Sequence, residues 1–118
     1  MTQSPDPMPR PLDHLAERGE GGAPALVLRE RTLTYDDLRS RVAALAAWLQ
    51  AEVGEPGARV ASWAGKTELT CLLPLAAARA GLVHVPVNPV LKRGQVAHIL
   101  ADSGAALLMG QAARLKTL

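Results

Sequence analysis

Three histidines are the side chains of this sequence best suited to proton transfer or metal binding. They are His14, His84 and His98, and none has a second histidine or a cysteine at the short spacing that a zinc site requires. His84 falls in a predicted strand, where its ring faces either a pocket or solvent, and His98 falls on the outer face of a predicted helix. A structural role is therefore the favoured interpretation for each of them.

The single cysteine, Cys71, lies in an apolar stretch. One cysteine cannot form an internal disulfide, and without a Cys-x-x-Cys partner it makes a poor zinc site. A nucleophilic thiol needs a basic neighbour that lowers its pKa, and no local motif supplies one. We therefore predict a buried structural thiol, in a chain compatible with the reducing cytoplasm.

Phosphate-binding loops are absent from the sequence. It contains no Gly-x-Gly-x-x-Gly turn, no Gly-x-x-x-x-Gly-Lys-Ser/Thr loop and no Gly-x-Ser-x-Gly elbow. The cations that fall near predicted loops are Lys66, Lys92 and Arg93, and none stands in a glycine-rich run. Solvated side chains are the favoured interpretation, so we assign no catalytic, cofactor-binding or metal-binding residue in this chain.

The charge pattern argues against nucleic-acid binding. The net charge is +2, and the arginines are scattered, most with acidic residues nearby, rather than gathered into a stripe that follows phosphates. We expect solvated arginines on exposed faces at Arg29, Arg31, Arg39, Arg41, Arg59 and Arg79. Asp36 and Asp37 are explained by a helix start, where carboxylates meet free backbone N–H groups. Trp48 and Trp63 are predicted to pack, since neither has the companions of a base-stacking platform.

Apolar strands that alternate with amphipathic helices must position these residues. The clearest element begins at Thr34, which caps a helix together with Asp37 three residues on. The predicted order is a short helix at 12–18, a hairpin at 25–28 and 32–34, a helix at 35–51, a strand at 60–63, a helix at 68–80, a strand at 83–87, a helix at 92–101, a strand at 106–109 and a helix start at 111–118. This alternation is typical of an α/β fold with a parallel sheet flanked by helices, here with a small N-terminal hairpin.

A chain of 118 residues is long enough for one domain with one core. The proline-rich start and the glycine-rich connector predict a flexible lead-in over 1–22, followed by a domain over 23–110 and the truncated start of another element over 111–118. The first ten residues lack the apolar stretch of a secretory signal. No apolar run approaches the roughly 20 residues that span a bilayer.

Two stretches carry a family resemblance. The run LTYDDL at 33–38 resembles the first core motif of adenylate-forming enzymes, which lies at a strand-to-helix junction. The run AARAGLVHVPVNP at 77–89 resembles their second core motif, in which a helix ends in Ala-Gly, a strand follows and Asn-Pro closes it. The run PGARVA at 56–61 is similar to the family's strand entry, with Ala58 in place of an aspartate. The resemblance covers residues 23–109.

The resemblance implies the N-terminal part of an AMP-forming acid–thiol ligase, with 23–110 as a partial AMP-binding ligase domain. In this family a carboxylic acid attacks the α-phosphate of ATP, and the thiol of CoA or of a carrier protein's phosphopantetheine then takes the acyl group. The cofactors implied for the parent enzyme are therefore ATP, Mg²⁺ and CoA or phosphopantetheine, and the implied location is the cytoplasm. The family's Pro-Lys-Gly phosphate loop and its C-terminal catalytic lysine are absent from this sequence, so we expect the chain to be inactive alone.

The implied partners are the rest of the ligase polypeptide and, in the full enzyme, CoA or an acyl carrier protein. A CoA phosphate is the minor alternative partner for Lys92 and Arg93. Self-association is also expected, because a sheet edge or face that other subdomains cover in the family would stand open. A finer similarity, over 88–102, is to ligases associated with exosortase A gene clusters.

Two other interpretations stay open on the sequence alone. A non-catalytic binding or assembly module would retain the ligase scaffold without its chemistry. An unrelated small α/β protein of the receiver type would need acidic residues at its strand ends, where Trp63 and Val87 stand instead.

Overall fold

A computed structural model describes residues 7–118, so the part of the predicted lead-in before Pro7 lies outside the described residues. The elements follow the predicted order. They are a 3-10 helix (Leu12–Glu17), β1 (Pro24–Val27), β2 (Thr32–Thr34), α1 (Tyr35–Val53), β3 (Arg59–Trp63), α2 (Glu68–Arg79), β4 (Val83–Val87), α3 (Arg93–Ser103), β5 (Leu107–Gly110) and α4 (Ala112–Leu115). The predicted α/β class with its N-terminal hairpin is confirmed. None of the helices within residues 7–118 is long and apolar enough to cross a membrane.

The central sheet has three parallel strands in the order β4-β3-β5. Strands β3 and β4 pair in register from Arg59 opposite Val83 to Trp63 opposite Val87, and β5 pairs with the other side of β3. Strands β1 and β2 form the separate antiparallel hairpin. The crossover from β3 to β4 passes through α2 on one face of the sheet, and the crossover from β4 to β5 passes through α3 on the other face. The two crossovers also run in opposite directions across the sheet, so they have the same hand.

The alternation of side chains along β3 divides the core into two parts. Val60 packs on one face with α1 and α2, whereas Ala61 and Trp63 pack on the other face with Val96 of α3. The largest fully buried side chains are Leu49, Leu73, Val42, Val60 and Val96. The chain contains no phenylalanine, so aliphatic residues and alanines, together with Trp63, fill the space between the sheet and its helices.

Helix α1 begins where the sequence predicts because Thr34 and Asp37 cap each other. The Thr34 Oγ1 atom accepts a hydrogen bond from the Asp37 backbone N–H at 3.1 Å, and the Asp37 Oδ2 atom accepts one from the Thr34 N–H at 3.0 Å. The helix ends at Gly54, whose φ of 70° lies in the left-handed region that glycine adopts without strain. Thr67 and Thr70 form the equivalent mutual cap at the start of α2.

Thr34→Ala is expected to lower the free energy of unfolding by about 1 kcal/mol, because the Asp37 N–H loses its acceptor. The backbone N–H of Thr34 also holds the pKa of Asp37 below its usual range. The stabilisation of the folded state by the Asp37 carboxylate is therefore complete above about pH 4, and it is lost as the pH falls further. Chemical denaturation measures the loss, with exposed Thr32→Ala as the control of small effect. An unchanged denaturation midpoint for Thr34→Ala would contradict the capping role.

Two predictions about single side chains are wrong. Cys71 is exposed rather than buried, because α2 turns the adjacent Leu72 and Leu73 toward the core instead. Trp48 is 45% exposed on the outer side of α1, where its neighbour Leu49 takes the buried position. The predicted packing of Trp63 is confirmed, since its side chain lies in the core between β3 and α3.

Candidate functional site

A groove of about 890 Å³ lies between α2 and β4. Thr70, Pro74 and Ala78 line it from the helix, and His84 and Pro86 line it from the strand. The loops after β3 and β4 close one end, so the groove reaches the carboxyl ends of these two strands. That end of a parallel α/β sheet is where such folds commonly bind ligands.

A serine and a histidine meet in this groove. The Ser62 Oγ and His84 Nε2 atoms are 2.9 Å apart, because the two residues lie on the same face of the paired strands β3 and β4. Ser62 is only 4% exposed, and His84 satisfies the hydrogen bonding of its hydroxyl. A hydroxyl beside a base is the arrangement of a nucleophilic serine. Here, however, the hydroxyl is buried, next to the last residue of β3, which supports the structural role predicted for His84.

Burial lowers the pKa of His84 below its ordinary value near 6.5. The unfolded chain therefore binds a proton at this residue at a higher pH than the folded chain does. We expect stability to fall as the pH drops below about 6.5, because protonation favours the unfolded state in that window. Denaturation midpoints at about pH 7.5 and pH 5.5 measure the effect.

His84→Asn is expected to reduce this pH dependence, whereas His98→Asn on the exposed side of α3 should leave it in place. Both variants keep all the carboxylates, so the difference between their pH dependences excludes the contribution of the carboxylates to stability. An identical pH dependence in the two variants would contradict the assignment to His84.

The candidate cations do not converge. Lys66 is the charged residue in the groove lining. The backbone N–H of Lys92 donates to the Gln95 side chain at 3.1 Å at the start of α3, and Arg93 lines a separate depression on that helix. Within residues 7–118 no group of three histidine, cysteine, aspartate or glutamate side chains is placed to hold a metal ion. The donors in this part of the chain therefore do not fit a Mg²⁺–triphosphate site, which needs cations and metal ligands around the phosphates.

Arg39, which was expected to be solvated, has a structural role that the sequence did not predict. Its guanidinium donates to the carbonyl oxygen of Ala16 at 2.7 Å and to that of Gly19, and pairs with Glu17 at 3.4 Å. The Arg39 side chain is 26% exposed. These contacts hold the 3-10 helix against α1 and α2, and Leu12 of that helix lines the groove. No local pattern announces them, because the partners lie 20 or more residues away in the sequence.

Two further arginines form ion pairs that the sequence did not predict. Arg31 beside the hairpin and Arg41 in α1 both pair with Glu68 in the first turn of α2, the second at 3.1 Å. Glu68 thereby joins three elements, although both arginine side chains remain partly exposed. Exposed pairs of this kind contribute little stability individually.

The glycine-rich connector is fitted closely to the start of α1. A β-carbon at Gly19 would lie 2.2 Å from the Tyr35 ring, and one at Gly21 would lie 2.6 Å from the Asp36 carboxylate. The backbone N–H of Tyr35 donates to Ala23 and that of Asp36 donates to Gly21, each at 3.0 Å. These bonds satisfy helix-start donors that would otherwise lack partners, so 19–23 wrap around the beginning of α1.

Comparison with known proteins places this geometry in a family. The family model described as AMP-binding enzyme matches residues 12–118. The chain is 39% identical over 89 residues to a fatty acid–[acyl-carrier-protein] ligase of Streptomyces coeruleorubidus, which covers 75% of this chain and 17% of that protein. It is 45% identical over 78 residues to a feruloyl-CoA synthase of an Amycolatopsis species, and the matched part is 65% of this chain and 16% of that protein. The solved N-terminal subdomain of NpsA from Klebsiella oxytoca superposes with a TM-score of 0.78 at 26% identity, over 86% of this chain and 28% of that one.

The hairpin, the three-stranded parallel sheet and the two motif stretches define an N-terminal part of the adenylate-forming fold. The chain belongs to the AMP-binding enzyme family, as its resemblance implied. It spans less than a fifth of the length of these two curated relatives. Membership of the exosortase-associated group stays a prediction.

Proposed function

We propose that this chain is the N-terminal portion of an ATP-dependent acid–thiol ligase and is inactive alone. The parent enzyme would form an acyl adenylate and then a thioester on CoA or a carrier protein. The observation that carries the proposal is the family match across residues 12–118, together with curated relatives named as carrier-protein and CoA ligases. The proposal keeps 23–110 as the partial ligase domain, 111–118 as the start of the next element, and the cytoplasm as the location.

The inactivity follows from the distribution of charge. Adenylate formation needs donors positioned around the α-phosphate and pyrophosphate, because electrostatic stabilisation supplies most of the catalysis. The groove offers Lys66 and the mutually bonded Ser62 and His84, whereas Lys92 and Arg93 lie outside its lining. ATP, Mg²⁺ and CoA or phosphopantetheine would therefore be held by the rest of the ligase polypeptide.

Self-association of the isolated chain belongs to the same proposal. Large apolar side chains are exposed at Val27, Val83 and Val90, with exposures of 74%, 48% and 79%. The sheet also has open edges at β4 and β5 among the described strands. Exposed apolar surface and unpaired strand edges promote association, which light scattering would detect.

Pyrophosphate exchange tests the proposal with two proteins. One is the 118-residue chain; the other is a chimera in which this chain replaces the matched segment of the Streptomyces coeruleorubidus ligase. We expect no acid-dependent exchange of labelled pyrophosphate into ATP by the chain, and exchange by the chimera with a fatty acid. Exchange by the chain alone would show that it is a complete enzyme. A folded chimera without exchange would favour the non-catalytic module.

A further inference from the structure

The solvent side of α1 is uncharged over most of its length. Residues 42–51 contain no aspartate, glutamate, lysine or arginine. Within this run Ala44, Trp48 and Ala51 are exposed, and they lie on one side of the helix because successive residues turn by about 100°. Trp48 is 45% exposed there. Tryptophan is enriched at protein interfaces, so an exposed tryptophan among uncharged neighbours indicates a surface that binds another protein.

Opposite charges lie at the two ends of this surface. At one end Arg41 and Arg31 share the single carboxylate of Glu68, so this end keeps a positive charge. At the other end Glu52 is exposed, and no ion pair engages it in the part of the chain that the structure describes. Arg41 and Glu52 are about three turns apart on the same side of the helix, or about 16 Å along its axis.

We propose that a second copy of this chain docks on the outer face of α1, defined as Arg41, Ala44, Trp48, Ala51 and Glu52. The two α1 helices would lie antiparallel about a two-fold axis near their midpoint, so that the same patch is used on both copies. Trp48 of each copy would cover Ala44 of the other, and Arg41 of each would meet Glu52 of the other. The inference rests on the proposed function, because it names the surface of the self-association proposed there.

The order of charges favours this occupant and this direction. The positions of Trp48 and Ala44, and those of Arg41 and Glu52, are centred within half a residue of each other along α1. One antiparallel register therefore places the indole on the small alanine and joins both charge pairs. A parallel pair would instead set like charges against each other and the two indoles at the same level.

The exposed strand edges are less suited to a symmetric contact. Strand β4 contains Pro86, which has no N–H, so two copies that paired through this edge would both lack a donor there. Strand β5, at the other edge, has four residues. A single helix pair is itself a small interface, so we expect a reversible dimer with a dissociation constant in the micromolar range.

Sedimentation of the 118-residue chain at concentrations across this range tests the proposal. Trp48→Glu is expected to raise the dissociation constant of the dimer at least tenfold, because it places a charge in the centre of the contact. Ala43→Glu is the matched control, since Ala43 is exposed on the same helix but lies about 140° around it from Trp48. A chain that stays monomeric throughout, or equal dissociation constants for the two variants, would overturn the proposal.

A charge exchange tests the antiparallel register. Glu52→Arg should weaken the dimer about tenfold at low ionic strength, because the two-fold axis makes each repulsive contact occur twice. Adding Arg41→Glu to this variant should restore most of the affinity, and Arg31 stays in place to pair with Glu68. Circular dichroism checks that each variant is folded. Independently of the double variant, the effect of Glu52→Arg should disappear at about 1 M salt, where charges are screened within a few ångströms. An effect of Glu52→Arg that persists in salt would contradict the ion pair.

Two further measurements identify any other occupant. Val83→Glu, on β4, should leave the dimer intact; loss of the dimer in this variant but not in Trp48→Glu would place the interface at the sheet edge and overturn the proposal. The chimera should also form a dimer that Trp48→Glu disrupts. A monomeric chimera beside a dimeric 118-residue chain would assign the outer face of α1 to the rest of the polypeptide, which also overturns it.

Mass and catalysis are measured separately, so the two proposals can fail separately. Pyrophosphate exchange by a chimera whose mass does not respond to Trp48→Glu would overturn the dimer and leave the ligase assignment standing. A dimeric chimera that responds to Trp48→Glu but shows no exchange would support the α1 contact and count against the ligase assignment.

Discussion

Replacing Gly110 with alanine is expected to lower the free energy of unfolding by about 3 kcal/mol, near the upper end for overpacking. Gly110 ends β5 opposite Trp63 of β3, and a β-carbon there would lie 2.5 Å from the Trp63 carbonyl oxygen. A backbone atom cannot rotate away as a side chain can, so β5 would have to move away from β3. Urea denaturation followed by circular dichroism measures the loss.

The matched control is Gly94→Ala in the first turn of α3, where a β-carbon meets no atom within 4 Å. Alanine is favoured over glycine in a helix by up to about 1 kcal/mol, so this variant should be neutral or more stable. A loss of stability in Gly110→Ala together with no loss in Gly94→Ala would distinguish a steric clash from a general effect of replacing glycine. Similar destabilisation in both variants would contradict the close approach at Gly110.

The sequence predicted the order of elements well because local signals set their ends. Thr34 provides both hydroxyl and backbone contacts for the start of α1, and Gly54 supplies a left-handed residue at its end. Gly81, with φ of 77°, does the same between α2 and β4. Each of these signals acts within a few residues, so the bounds of α1, α2 and β4 could be read from the sequence.

Strand order and the groove could not be predicted in the same way. Strand β5 pairs with β3 and not with β4, although β4 precedes it in the chain. This order brings Ser62 and His84 into contact through the β3–β4 register and leaves β4 at the edge. Leu12 also lines the groove, because the 3-10 helix near the N-terminus packs against α2, more than 50 residues later in the sequence. The sequence left open whether His84 faces a pocket or solvent, and only the register placed it in the groove.

The errors over single residues share a physical origin. Cys71 lies in an apolar run, but a helix buries one stripe, and Leu72 and Leu73 occupy it in α2. Arg39 looked like any surface arginine because its carbonyl partners come from the 3-10 helix and its following turn. Composition and periodicity report how often residues are buried on average; they do not report which distant backbone oxygens a guanidinium reaches.

Arg39→Met is expected to release residues 12–22 from α1 and α2 and to lower the free energy of unfolding by about 2 kcal/mol. The guanidinium donates to the carbonyls of Ala16 and Gly19, and methionine keeps the apolar stem but removes every donor. Hydrogen exchange read by mass spectrometry localises the effect, because the His14 and Arg18 amides, which bond to Pro11 and Leu15, should lose protection. Amides of α3 should keep theirs.

Arg79→Met, at the exposed end of α2, is the control and should change stability by less than about 0.5 kcal/mol. Arg39→Lys should recover only part of the protection, since one ammonium group does not reproduce the planar fork that reaches two carbonyls. A purely steric role for the Arg39 stem predicts the opposite, with methionine and lysine behaving alike. Unchanged exchange at 12–18 in Arg39→Met would show that the apolar contacts of Ala16 hold the 3-10 helix without the arginine.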